Sequence, residues 1–184
     1  MTKRPTNPAK RRTKERPTTA KPRLREKGFF TLQVAILGGP MTESFARKNP
    51  VISRTIEVRG DHTLADLHRT IFDAFDREDE HLYEFQFGGK RLMDPKARRY
   101  GPPMAMVDPF GEEEGSADAE RTTLDSLGPE IGDLFGYWFD FGDDWWHQIE
   151  VLAVAEGAPR GRLPRVTQRV GESPPQYVDW DEKA

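Results

Sequence analysis

Four residues near the middle of the second half of this chain could do chemistry together: Asp140, Asp143, Asp144 and His147. Carboxylates and an imidazole in one short run suit two tasks. Their oxygen and nitrogen donors match a divalent metal, and a carboxylate beside a histidine can act as an acid–base pair. His81 would join them if its strand lies beside theirs, and Arg54 would pair with Asp140 or Asp144. The same residue types also have a plainer use. Asp bonds local backbone amides and Gly takes positive φ, so Gly142-Asp143-Asp144 reads equally as a turn. Parity divides the set further, with Asp140 and Asp144 on one parity and Asp143 and His147 on the other. A buried Arg–Asp pair more often stabilises a fold than catalyses.

The segments on either side of that turn must position these groups. Phe135, Tyr137 and Phe139 lead in on one parity; Trp145, His147, Ile149 and Val151 lead out on the same parity. Residues two apart in a strand share a face, so this is an antiparallel hairpin with one apolar side. Trp138 and Trp146 have the opposite parity and leave aromatic surface on the other side. With Tyr137 they form a candidate binding surface, either a base-stacking platform or a patch for a protein partner. The neighbouring Asp140, Asp143, Asp144 and Glu150 would repel phosphate, which counts against base stacking and leaves a binding module with its partner open.

Upstream, Phe29–Leu37 alternates as a first strand closed by Gly38-Gly39-Pro40, and Val51–Val58 as a second. A helix follows. Thr63 caps it, Asp66 occupies the capping-box position, and Leu64, Leu67, Ile71, Phe72 and Phe75 recur at helical spacing. His68, beside that apolar stripe, reads as a partly buried histidine sharing a hydrogen bond. His81–Phe87 alternates as a third strand. Residues 94–119, rich in Pro, Gly and acid, read as a long mobile loop, and 122–127 as a short strand or a single helical turn. Residues 157–184 read as a Pro/Gly-rich tail.

The expected fold is α+β: a single mixed β-sheet with one main helix packed on a face, β-grasp-like, plus the aromatic hairpin. The strand–helix–strand crossover is long enough to place the third strand parallel to a neighbour. The expected organisation is a disordered basic arm over 1–27, the α+β domain over 28–156, and the tail.

Charge is uneven along the chain. Residues 1–27 hold eleven Lys or Arg against Glu15 and Glu26, a net charge of +9. The rest holds 17 basic and 29 acidic residues, a net charge of −12, giving −3 for the whole. The proline-bearing arm has no aromatic residue and cannot bury enough apolar surface to order itself. It reads as a solubilising tail or as a nonspecific contact to nucleic acid. The acidic body argues against the folded domain gripping duplex DNA. The chain has no cysteine, which excludes disulfides, zinc fingers and thiol nucleophiles. No apolar run suits a membrane span or a signal peptide, so a soluble cytoplasmic protein is expected. Nucleophile-elbow, phosphate-loop and His-Glu-x-x-His patterns are absent, and no cofactor is expected.

Four blocks carry a family resemblance. They are Pro50-Val51-Ile52-Ser53-Arg54; Thr63-Leu64-Ala65-Asp66-Leu67-His68 with Ile71; His81-Leu82-Tyr83-Glu84-Phe85 followed by Gly88-Gly89-Lys90; and Tyr137 to His147. In order and spacing the chain resembles the plasmid pRiA4b ORF-3-like family over about residues 29–155. The resemblance implies a single α+β domain often encoded near plasmid or transposon genes, and no established reaction. Ser53 stands where the family usually has Trp, and Asp76-Arg77 where a Gly-Trp pair is common. Cysteines typical of the family's tail are missing. A non-enzymatic binding or accessory protein is therefore the expected function, with a metal-assisted hydrolase built on the Asp/His cluster as the alternative.

Overall fold

The computed structural model describes residues 28–106, 116–157 and 160–178. Eight strands form one sheet in the order β5-β4-β3-β6-β7-β1-β2-β8. They are β1 (Gly28–Gly38), β2 (Ser53–Arg59), β3 (Tyr83–Phe87), β4 (Arg98–Gly101), β5 (Ser116–Asp118), β6 (Leu134–Phe139), β7 (Trp145–Glu156) and β8 (Arg165–Val170). Three helices accompany them: α1 (Glu43–Lys48), α2 (Leu64–Ala74) and the single turn α3 (Leu124–Leu127). Every pairing is antiparallel except β4 with β5. The architecture is α+β, a mixed sheet with one main helix.

Alternation decides which face of each strand meets α2. Phe30, Leu32 and Val34 of β1, Ile56 and Val58 of β2, and Tyr83, Phe85 and Phe87 of β3 are buried in one cluster. The hairpin adds Phe135, Tyr137, Phe139, Trp145, Ile149 and Val151 to that same core. Burying each large apolar side chain stabilises the fold by roughly 1.5–3 kcal/mol. Onto this face α2 lays Leu64, Leu67, His68, Ile71 and Ala74, with Phe75 at its C-cap. Its start is fixed by a reciprocal cap: Asp66 N–H donates to Thr63 Oγ1 at 3.1 Å and Thr63 N–H donates to Asp66 Oδ2 at 3.0 Å. Such a cap satisfies two otherwise unpaired amides.

Four expectations change. The crossover strand β3 is antiparallel to both its neighbours, β4 and β6. The parallel place beside β1 that a β-grasp arrangement requires is taken by β7, running antiparallel. Inside the stretch read as a loop, β4 and β5 form the far edge of the sheet, and only residues 107–115 of it lie outside the described ones. The C-terminal stretch is likewise not all tail, since β8 pairs with β2. These short edge strands carry mostly polar side chains; β8 buries none of its six residues. Charged edges resist further pairing, and they also erase the apolar alternation that announces a strand. The helical-turn reading of 122–127 is the one observed, as α3. The arm 1–27 lies outside the described residues.

Candidate functional site

The hairpin turn spans Asp140 to Asp144, between the last cross-strand pair Phe139 and Trp145. Asp140 organises it. Its Oδ1 accepts the N–H groups of Gly142 at 3.1 Å and Asp143 at 3.3 Å, while its carbonyl accepts Asp144 N–H at 2.8 Å. Its own N–H reaches Leu82 O at 2.9 Å, tying the turn to the approach to β3. Asp140 and Asp144 both have positive φ, 55° and 56°, a conformation that Asp tolerates better than most residues. Asp140 is buried and Asp144 exposed, and Asp144 Oδ1 accepts the indole N–H of Trp138 at 3.0 Å. The carboxylates of Asp140 and Asp144 are therefore engaged in turn and ring positioning, whereas Asp143 contributes its N–H.

His147 does not join them. It faces α2, 1% exposed, with Phe75 and Tyr137 rings 5.3 and 5.1 Å away. Burial, aided by the charge of Arg77, pushes its pKa down to about 3, so it is neutral near pH 7. Main-chain groups of Tyr137 and Trp145 oppose that shift weakly, and neither ring nitrogen has a hydrogen bond of ordinary geometry. Strand parity is the physical reason for the separation: the side chain that follows the turn on the core parity is committed to the core. Among the described residues no group of three or more His, Asp or Glu is arranged to hold a metal.

His81 does reach the turn. Its Nε2 lies 3.5 Å from Asp140 Oδ2 and 3.0 Å from Tyr177 Oη. The pair is a link between β3's approach, the turn and the C-terminal segment. Arg54 meets neither Asp140 nor Asp144. Its guanidinium donates to the carbonyls of Ala74, Ser53, Val170 and Gly171 and to Ser173 Oγ, at 2.7–3.2 Å. It is a buried brace between the end of α2 and the segment after β8.

The aromatic surface is also redistributed. Tyr137 belongs to the core, 1% exposed, its hydroxyl 2.7 Å from His68 Nδ1. Burial raises its pKa well above the ordinary phenol value. His68 in turn stacks on Tyr83 at 3.7 Å and reaches Glu80 at 3.2 Å, the shared-hydrogen-bond role expected of it. Burial lowers its pKa, against the pull of Glu80. Trp138 and Trp146 stand opposite one another on β6 and β7, on the face away from α2. Their rings stack at 4.6 Å, and Phe141 from the turn stacks on Trp138 at 4.0 Å. All three are half-buried.

Three side chains carry more chemistry than residue type and spacing suggested. Arg77, Ser173 and Gln176 lie in segments with no periodic signal. Gln176 Oε1 accepts Glu78 and Asp79 N–H at 2.8 and 3.1 Å, and its amide donates to Asp79 O at 2.8 Å. A glutamine beside two prolines was the only hint of a built contact.

Comparisons with known proteins bear on the fold and the family. The chain is 30% identical over 130 residues to the uncharacterized protein y4hQ of Sinorhizobium fredii (strain NBRC 101917 / NGR234), covering 70% of this chain and 60% of that protein. The match thus spans less than two thirds of the relative's length. A crystal structure of a protein of unknown function, MM3350 from Methanosarcina mazei Go1, shares the fold with a TM-score of 0.63. That likeness covers 82% of this chain and 74% of the other at 23% identity. No helix among the described residues is long and apolar enough to cross a membrane. The family model for plasmid pRiA4b ORF-3-like protein matches residues 44–180, which takes in the capped helix, the turn and the stacked tryptophans, and the chain belongs to that family.

Proposed function

We propose that this chain is a non-enzymatic binding or accessory protein that takes a protein partner on the sheet face opposite α2. The observation that carries this reading is the Phe141–Trp138–Trp146 stack, three large rings half-buried on the sheet face opposite α2. Rigid aromatic rings are the commonest energetic anchors of protein interfaces. Leu134, on the same side of β6, is 51% exposed and extends the apolar surface. Asp143 and Asp144 in the turn and Glu150 on the same side of β7 make no ion pair with a described residue. Carboxylates next to indole faces suit Arg or Lys side chains of a partner, which would meet a ring and an acid together.

The family's name comes from a plasmid reading frame, and an accessory role at mobile DNA fits this reading. Contact with DNA would then fall to the basic residues 1–27, since the body carries −12. A selection of displayed random peptides against the native protein tests the recognition surface. Recovered peptides should be rich in Arg and aromatic residues and lose at least tenfold in affinity against Trp138→Ala or Trp146→Ala. Peptides that bind both variants as well as the native chain would refute the assignment.

A further inference from the structure

Among the described residues, seven buried side-chain polar atoms have no hydrogen-bond partner of ordinary geometry, and six of them belong to three residues. These are Nε, Nη1 and Nη2 of Arg77, Nε1 of Trp145, and both ring nitrogens of His147; the seventh is on His62, before α2. The three residues form one cluster. Arg77 Cζ lies 3.7 Å from the centroid of a Trp145 ring. Trp145 and His147 share the core-facing side of β7, and the Arg77 charge acts on the His147 ring. Gly39 completes the wall: a Cβ there would fall 2.2 Å from the Trp145 ring, so bare backbone lies against the indole.

Burial of this kind is costly. Arg77 is 8% exposed, and an unpaired guanidinium out of water costs several kcal/mol. Asp140 is the carboxylate whose charge acts favourably on it, but Asp140 Oδ1 is taken by the turn amides and Oδ2 faces His81. Glu78 and Asp79, adjacent in sequence, are exposed. The contrast with Arg54 is sharp: that guanidinium, also buried, donates to five acceptors. One buried cation is fully hydrogen-bonded within the protein; the other meets the Trp145 ring face but has no hydrogen-bond acceptor among the described residues.

We propose that Arg77, Trp145 and His147 form a binding site for a small oxyanion or carboxylate group. The guanidinium offers a planar fork that matches two oxygens of such a group, and the indole N–H a further donor, with the neutral His147 ring beside them. Phe75 and Tyr137 supply the apolar surroundings in which these charge-assisted bonds gain strength. The six atoms are closed to solvent, so a ligand enters by displacing a neighbouring segment. The segment after β8 is the one joined beside Arg77 by side-chain bonds from Gln176 rather than by strand pairing.

The experiment follows the indole N–H resonance of Trp145, assigned with Trp145→Phe, during titration of the full chain at constant ionic strength. Inorganic phosphate, sulfate and acetate are the probes, with chloride as the balancing salt. The expected result is a saturable shift of the Trp145 signal with at least one of the three, matched by a rise in Tm. The pattern separates sources: phosphate or sulfate alone indicates a tetrahedral oxyanion, and acetate alone a carboxylate. Arg77→Met, which replaces the buried cation by an apolar chain, should fold and lose affinity at least tenfold. Should it fail to fold, Arg77→Lys keeps the charge without the fork and should still weaken binding at least tenfold. A Trp145 signal unmoved by all three probes overturns the site and leaves water as the partner of these atoms. Variants that respond like the native chain overturn it equally.

Discussion

Arg54 Nη2 donates to Ser173 Oγ at 2.7 Å, so a guanidinium on β2 holds a hydroxyl that follows β8. Ser173 Oγ donates onward to Asp76 Oδ2 at 2.5 Å, and Arg54 Nε bonds Ala74 O at 2.8 Å. The end of α2, β2 and the C-terminal segment thus meet on one buried cation. Burial lowers the Arg54 pKa, with Arg169 adding to the effect and Asp76 opposing it, yet the group stays charged at any ordinary pH. Arg54→Met should cost about 3 kcal/mol, because it takes the side-chain donor from several buried carbonyls, of which Ala74 O keeps a second one in Arg169 Nη1. Arg54→Lys should recover only part of this, since one ammonium cannot span the same acceptors. Urea denaturation measures the loss, and amide exchange should speed up first in β8. A Lys variant as stable as the native chain would show that the fork geometry is unimportant.

That brace explains what was legible in the chain and what was not. Trp145, His147, Ile149 and Val151 could be placed on one face because strand parity is local and each residue reports it. The Thr63–Asp66 cap was legible for the same reason. β8 was not, since an edge strand with its side chains in water has no apolar period to read. Arg54 was expected to find an aspartate, which is the usual partner of a buried charge. It found carbonyls instead, because the end of α2 and the chain around the end of β8 both present main-chain oxygens there. Such long-range convergence leaves no trace in residue spacing. Parity keeps the chemistry of the turn from becoming a cluster: Asp143 and His147 share one, but it is also the parity of the core-facing residues, to which His147 is committed.

Asp140 separates the turn reading from the metal reading. Asp140→Asn keeps an acceptor for the Gly142 and Asp143 amides and tolerates a φ of 55°, so its cost should stay below about 1 kcal/mol. Asp140→Ala loses both bonds and puts a Cβ without a local partner in the left-handed region, for a cost of about 2–3 kcal/mol. A metal site would rank the two differently, as a neutral amide is a poor substitute for an anionic ligand. Thermal melts of both variants with Mg²⁺, Mn²⁺ or a chelator provide the comparison. A chelator-sensitive native chain with Asn as damaging as Ala would reinstate the metal.

Removing residues 1–27 changes the net charge from −3 to −12, since that segment carries +9. Binding of the full chain to duplex DNA should weaken steeply with salt, as expected when Lys and Arg displace counterions from phosphate. The truncated chain should show no such binding while keeping the native melting transition. Fluorescence anisotropy with a labelled duplex at several salt concentrations reads both properties. Salt-sensitive binding that survives truncation would move the contact to the folded body.

His147 makes stability fall in mild acid. Its pKa is near 6.5 in an unfolded chain and about 3 when buried, so the unfolded state takes up the proton first. The stabilising contribution is therefore complete above pH 6.5 and is lost as pH falls toward 3, with no further loss below. At pH 5 the loss should be about 2 kcal/mol relative to pH 7 or above. His68, whose pKa burial also lowers, adds to the same slope with the same sign. Asp66, held below its usual range by Thr63, loses its contribution only at lower pH. Both histidines therefore act in the window between pH 7 and 5. His147→Leu, close in volume and unable to take a proton, should flatten the slope without abolishing it. Urea denaturation midpoints at half-unit intervals of pH measure this, and a variant with the native slope would mean that the His147 ring is reached by water.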